Sequence, residues 1–160
     1  RVTRELVASV AKLKAENPEM VDSINAAIQE LTNKFEKLIS ETSADTVAFT
    51  RRSLDALEGQ IAPLFEQNQA LLRKLGVSHP ALEAVCDLSK AVGLSSKLTG
   101  AGGGGCAVTL TGVGAGLDKS ETRSDDPKLE RLESLKATLI EQGFDCFQSD
   151  VGGEGVKVKF

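Results

Sequence analysis

The residues with the clearest chemical potential lie in one glycine-rich segment, residues 97–110, which reads KLTGAGGGGCAVTL. Between Gly100 and Gly105, only Ala101 is not a glycine. Because glycine has no Cβ, such a segment can adopt positive φ angles and approach a ligand closely. Successive backbone N–H groups in that conformation form a concave site for an anion, most often a phosphate. The segment therefore predicts a phosphate-binding loop.

A flexible linker and a wide hairpin turn without a ligand are two other interpretations of a glycine run. A linker is typically flanked by polar residues. Here Leu98 precedes the loop, and a β-prone run from Cys106 to Leu110 follows it. The loop is therefore expected to connect two strands of a sheet, and the hairpin interpretation stays open.

Two common nucleotide-binding motifs fit this segment poorly. A Walker A loop needs Lys and Ser or Thr after its last glycine, whereas Cys106 and Ala107 follow Gly105. The pattern G-x-G-x-x-G is present from Gly100 to Gly105, but a dinucleotide-binding fold needs a helix directly after the loop. Since the residues that follow are β-prone, this match is weak.

Length, net charge and cysteine content limit the classes of protein and partner that fit this sequence. The 160 residues suffice for one domain with a core, and the net charge is −4 with dispersed Lys and Arg. This charge argues against a nucleic-acid or anionic-membrane surface, and no apolar run approaches the roughly 20 residues of a membrane span. The three cysteines have no spacing typical of metal sites or disulfides, which favours reduced thiols in a cytoplasmic protein.

Hydrophobic residues spaced by three and four positions predict four helices before the glycine segment. The first helix is expected to end, and the second to begin, at Pro18. The polar residues 40–46 should connect the second helix to a third, which ends at Gly76. A fourth helix should begin after His79, in a capping role, and end near Gly93.

The pattern changes after residue 95, where one short strand should lead into the glycine segment and another should leave it. Residues 113–126 are predicted to form a surface loop, followed by a fifth helix that ends at Gly143. Strands are expected at 144–151 and 156–160, joined by a glycine-rich turn. The sequence thus predicts the α+β class, with helices packed on a small, mostly antiparallel sheet.

Residues 96–106, SKLTGAGGGGC, resemble the third conserved motif of the GHMP kinases, and within them of the mevalonate kinases. Three further stretches show the same resemblance: residues 1–7 (RVTRELV), residues 75–80 (LGVSHP) with Leu82 and Glu83 after them, and residues 143–146 (GFDC). The resemblance therefore extends over the whole chain.

This resemblance implies that residues 1–160 are a ferredoxin-like C-terminal domain whose N-terminal half is absent. It implies an ATP- and Mg²⁺-dependent phosphorylation of mevalonate to 5-phosphomevalonate, in isoprenoid and sterol biosynthesis. The lysine, the aspartate and the metal ligands are then expected in the N-terminal half, so this chain has no catalytic residue and is expected to be inactive alone. The expected partners are ATP, mevalonate and that half, with a homodimer left open.

The resemblance also assigns candidate site residues. The backbone of the loop is expected to bind the terminal phosphates of ATP, and Arg1 and Thr3 match positions near the acidic substrate. Thr99 could donate a hydroxyl hydrogen bond. Asn68 interrupts the apolar stripe of the third helix, and it either faces the site or the loop backbone or lies at a solvated helix edge. The predicted phosphate-binding residues are Gly100, Ala101, Gly102, Gly103, Gly104 and Gly105.

Two other functions remain open at this point. The chain could be a stand-alone binding or dimerisation module, in which the helices of residues 20–75 pair with a partner. It could also belong to another small-molecule kinase of the GHMP family, such as a galactokinase or homoserine kinase. A second phosphate loop upstream of Arg1 would favour a kinase.

Overall fold

The computed structural model describes residues 2–44, 51–111 and 127–148. Its elements, in chain order, are α1 (Val2–Glu16), α2 (Pro18–Ala44), α3 (Arg51–Lys74), α4 (Pro80–Ala91), β1 (Ser95–Leu98), β2 (Ala107–Leu110) and α5 (Pro127–Glu141). This succession of helices and an antiparallel strand pair confirms the predicted α+β class. The predictions for Arg1, for the loop at 113–126 and for the strand at 156–160 lie outside the described residues.

The helix boundaries follow local chemistry that the sequence made visible. Pro18 has no N–H to continue α1, so α2 begins at that residue. His79 precedes α4 in an extended conformation, and its Nδ1 accepts a hydrogen bond from the Ala81 amide at 3.1 Å. This bond satisfies one of the free donors of the first turn and confirms the predicted cap.

The end of α3 turns the chain toward the glycine segment. Gly76 has φ +73°, and the amide of Val77 donates to the carbonyl of Leu72 at 3.2 Å, across the end of the helix. Together with the bond from Gly76 to Arg73, this is the Schellman cap that glycine favours. The cap leaves Val77 buried, directly after the helix, with its carbonyl available to another part of the chain.

The apolar stripes of the helices pack against one another in two clusters. The first joins α1, α2 and the end of α3, around the buried side chains of Val21, Ile24, Leu75 and Val77. The second joins α4 and α5 to the strands, around Val85, Leu94, Leu135 and Leu139. The strands and the cap of α3 are thereby held between two cores.

The strand pair is antiparallel, with Ser95 opposite Leu110 and Leu98 opposite Ala107. Beyond the last pair, the Thr99 amide donates to the Cys106 carbonyl at 3.1 Å. Leu98 is only 2% exposed, and α3 and α4 both pack on β1. The glycine segment therefore connects two hydrogen-bonded strands, and the first of them is packed against helices.

Three sequence predictions need correction. Residues 40–44 belong to α2 rather than to a connection. The apolar spacing of the second helix continues to Phe35 and predicts that this side chain packs inward, but Phe35 is 40% exposed, because the core contacts are nearer the start of that helix. Residues 144–148 form no strand; their side chains alternate, but the backbone has no partner strand in the described part of the chain.

Candidate phosphate-binding site

The glycine segment forms a tight excursion between β1 and β2. Every glycine in it has a positive φ angle, from +71° at Gly103 to +118° at Gly104. Residues with a Cβ rarely adopt positive φ angles, because the Cβ then crowds the neighbouring backbone atoms. The run of glycine is thus needed for the conformation itself, which excludes a linker in which glycine only adds flexibility.

The loop is fixed to the segment that follows α3. The Gly103 amide donates to the carbonyl of Val77 at 2.8 Å. A Cβ placed on Gly102 would lie 2.0 Å from the same carbonyl oxygen, far inside any real contact. The sequence motif at residues 75–80 and the glycine motif therefore meet in space through this backbone contact.

The loop lines an open pocket of about 300 Å³. Its lining consists of Thr3, Thr99, Ala101, Gly102, Gly103, Gly104 and Gly105. The start of α1, which only the resemblance connected to the glycine segment, thus lies beside the loop and Thr99. Gly100 has a positive φ angle but does not line the pocket.

The pocket offers hydrogen-bond donors suited to an anion. Within the described part of the chain, the amides of Gly104 and Gly105 have no protein acceptor. Thr3, on α1, lines the same pocket. The hydroxyls of Thr3 and Thr99 add donors that can rotate toward an oxygen. A phosphate group matches this set.

The lining contains no carboxylate, and the described residues hold no group of three His, Cys, Asp or Glu side chains able to bind a metal ion. The Mg²⁺ implied by the resemblance therefore has no ligand set in this pocket. Its expected position in the N-terminal half stays a prediction.

None of the described helices is both long enough and apolar enough to span a membrane.

Two predicted site residues remain, Arg1 and Asn68. Arg1 lies outside the described residues. Asn68 is half-buried on α3 and does not line the pocket, so its role in the site stays a prediction. Its neighbour Gln69, which is 4% exposed, bonds to the backbone of β1, the strand that leads into the loop.

Gln69 was missed because its sequence context resembles that of any surface glutamine. Its Oε1 accepts a hydrogen bond from the Leu98 amide at 2.8 Å. Its Nε2 donates to Glu83 Oε1 at 2.9 Å and to Ser78 Oγ at 3.2 Å. The one available signal was position, since Gln69 lies eight residues after the buried Ile61 on the same helix face.

Glu83 is the charged end of this network. Arg73 Nε donates to Glu83 Oε2 at 2.7 Å, Arg73 Nη2 also bonds to that oxygen, and the Ser78 hydroxyl bonds to Oε1. The hydrogen bond from Arg73 lowers the pKa of Glu83 and outweighs the opposing effect of desolvation, with Ser78 and Gln69 adding to the decrease. Glu83 is therefore held as an ionised acceptor.

Burial shifts the pKa of two groups near the strands. Burial raises the pKa of the Cys86 thiol to about 11, so Cys86 stays a neutral thiol and its Sγ lies 3.5 Å from the Ser96 carbonyl. Burial lowers the pKa of Lys97, whose ammonium donates to the Leu98 carbonyl at 2.9 Å and lies 5.9 Å from the Phe65 ring. Both groups serve the support of β1.

The low pKa of Glu83 predicts an acid-sensitive stability. A carboxylate with a lower pKa in the folded state stabilises the fold above its unfolded-state pKa, and this contribution is lost as the pH falls through the folded-state pKa. We expect Glu83→Gln to unfold at a lower temperature than the parent at pH 7, and the difference to shrink between about pH 5 and pH 3. Thermal unfolding across this pH range measures it.

Glu30→Gln is the control for this prediction. Glu30 is also paired, with Lys34 at 2.7 Å, but its side chain is 67% exposed. Its removal should leave the unfolding temperature close to that of the parent across this pH range, because solvent screens an exposed ion pair. A Glu83→Gln difference that stays constant with pH would contradict the assigned role of the ionised carboxylate.

Comparisons with known proteins identify the family of this chain. Residues 51–143 match the family described as GHMP kinases C terminal. The chain is similar to a mevalonate kinase of Gibberella zeae (39% identity over 157 residues, 98% of this chain and 27% of that protein). It is also similar to mevalonate kinases of Homo sapiens (34%, 99% of this chain and 35% of that protein) and Arabidopsis thaliana (35%, 99% and 36%).

The chain thus spans roughly a quarter to a third of the length of these relatives. The family match covers α3, α4, both strands, the glycine loop and α5, and so every residue of the pocket lining except Thr3. On this match, the chain belongs to the GHMP kinases, in the family of their C-terminal domains.

Proposed function

We propose that this chain is part of an ATP-dependent mevalonate kinase and that its glycine loop binds the terminal phosphates of ATP. The observation that carries the proposal is the pocket, in which glycines with positive φ angles present amides without protein acceptors. The relatives named mevalonate kinase, at 34% to 39% identity, support mevalonate as the alcohol that is phosphorylated.

The role of the loop in this reaction is electrostatic. During phosphoryl transfer, negative charge spreads over the oxygens of the transferred group. Amides already fixed in position stabilise that charge without reorganising, and Gly103, bonded to Val77, fixes the loop. Thr3 and Thr99 would orient the phosphate or the substrate through their hydroxyls. When bound, Mg²⁺ would neutralise phosphate charge, and the residues that hold it are expected outside this chain.

The packing of the helices favours this function over a stand-alone helical module. The apolar residues of α1, α2 and α3 contact one another in the first core cluster, and those of α4 and α5 contact one another and the strands in the second. Most of the predicted apolar stripes therefore pack against other parts of the same chain. A module that binds through these helices would need them exposed.

The test uses the full-length protein with ATP and Mg²⁺ and offers mevalonate, homoserine and galactose as separate acceptors. We expect mevalonate to be phosphorylated with a kcat/KM at least about a hundredfold above that of the other two acceptors. Phosphorylation of homoserine or galactose in preference to mevalonate would assign another GHMP kinase activity. Absence of ATP consumption with all three acceptors would contradict the proposed function.

A further inference from the structure

Two parts of the chain support the glycine loop, and they come from different places in the sequence. β1 leads directly into the loop, and its last residue, Leu98, is almost completely buried. The Val77 carbonyl, after α3, accepts the Gly103 amide and contacts Gly102. The position of the loop relative to α1 therefore depends on how these two supports are held together.

A single side chain links them. Gln69, on α3, bonds through Oε1 to the Leu98 amide in the first support. Through Nε2 it bonds to the hydroxyl of Ser78, the residue after Val77 in the second support. The Leu98 amide does not pair with β2, because in this register Thr99 makes the bond across the pair, so Gln69 satisfies the outer edge of β1.

Glu83 determines which way the Gln69 amide points. An ionised carboxylate only accepts hydrogen bonds, so the NH₂ group of Gln69 must face Glu83 and its oxygen must face the Leu98 amide. Arg73 and Ser78 both donate to Glu83 and keep it in place. Because Gln69 is only 4% exposed, a reversed amide would leave buried polar groups unpaired.

We propose that Gln69 is a positioning residue for the glycine loop. By joining β1 to the segment after α3, Gln69 keeps the loop in its position relative to the rest of the pocket. The expected effect of Gln69 on kcat rests on the proposed function, whereas its expected effect on the loop structure does not. Gln69 is not among the residues that line the pocket, so it acts through the loop.

The first test is Gln69→Glu in the full-length protein, read by residue-resolved amide hydrogen exchange and by steady-state kinetics. The new carboxylate can still accept from Leu98 but cannot donate to Glu83. We expect exchange at the Gly103 amide to be at least about tenfold faster and kcat to fall by about tenfold or more. The KM for mevalonate should change by less than about threefold, because the loop acts on the phosphates.

Two further variants make the test specific. Gln67→Glu, an exposed change of the same chemistry on the same helix, should leave both readings near those of the parent. The double variant Gln69→Glu with Glu83→Gln exchanges donor and acceptor, restores the bond between the two side chains, and should recover slow exchange at Gly103 and at least half of the lost activity.

Unchanged exchange at Gly103 in folded Gln69→Glu would overturn the proposal, as would an equal loss in the double variant. Unfolding of both variants would show that the network holds the domain rather than the loop, and would also overturn it. If the parent protein phosphorylates no mevalonate, the proposed function fails, while exchange at Gly103 still decides the role of Gln69.

Discussion

Replacement of Gly102 by alanine is expected to distort the glycine loop and abolish most of the activity of the full-length protein. The new Cβ would lie 2.0 Å from the Val77 carbonyl oxygen, and the backbone has φ +84°. Neither backbone can yield without breaking the Gly103 bond to the same carbonyl. We expect a loss of about 3 kcal/mol in the free energy of unfolding and about a hundredfold in kcat/KM.

Gly105→Ala is the matched control, because Gly105 has nearly the same φ angle, +81°, but no atom within 4 Å of the position that its Cβ would take. Its stability should fall by only about 1–2 kcal/mol, the cost of the left-handed conformation alone. Denaturant unfolding of both variants, together with their kinetics, measures the difference. Equal stabilities would show that the loop does not rest on Val77 as described.

The second large effect is expected for Gly104→Val. Gly104 lines the pocket, has φ +118°, and leaves open space around a Cβ. A β-branched side chain resists this conformation and occupies the space where the phosphate would bind. We expect kcat to fall by about a hundredfold while the domain stays folded, with a cost of about 1–3 kcal/mol.

Gly143→Val controls for the strain in this variant. Gly143 follows α5 with φ +84°, has open space around its Cβ position, and does not line the pocket. It should lose a similar amount of stability and keep a kcat within about twofold of the parent. Steady-state kinetics and thermal unfolding distinguish the two. A normal kcat in folded Gly104→Val would mean that the loop does not contact the reacting phosphate.

The sequence was most informative where the determinants are local. The ends of α1 and α3 follow from Pro18 and Gly76, since a missing N–H and a positive φ angle act within one turn of the chain. The loop conformation was equally visible, because few residues other than glycine adopt the positive φ angles found from Gly100 to Gly105. These features needed no knowledge of what packs against them.

Predictions failed where a partner in space decides the result. The alternation around Phe144 and Cys146 indicated a strand, but a strand also needs a hydrogen-bonded neighbour, and these side chains simply pack on the second core cluster. The polar residues 40–44 indicated a connection, yet they extend α2. Polarity marks exposure, and an exposed segment can be helical.

The choice between Asn68 and Gln69 shows the same limit within the site. Asn68 was selected because asparagine is unusual inside a helix, which is a statement about propensity. The residue that reaches β1 is Gln69, because the rotation of α3 against the sheet buries that position and leaves Asn68 at its edge. Propensity contains no information about that rotation.

The sequence by itself determined that this protein has a glycine loop between two strands, because backbone conformation depends on the residues at each position. Only the tertiary structure decided what surrounds the loop: the Val77 carbonyl that accepts the Gly103 amide, the Gln69 side chain that bonds to β1, and Thr3, which lines the same pocket. These contacts join residues far apart in the chain. They depend on how the helices pack, and packing is set by the fit of complete surfaces rather than by any local pattern.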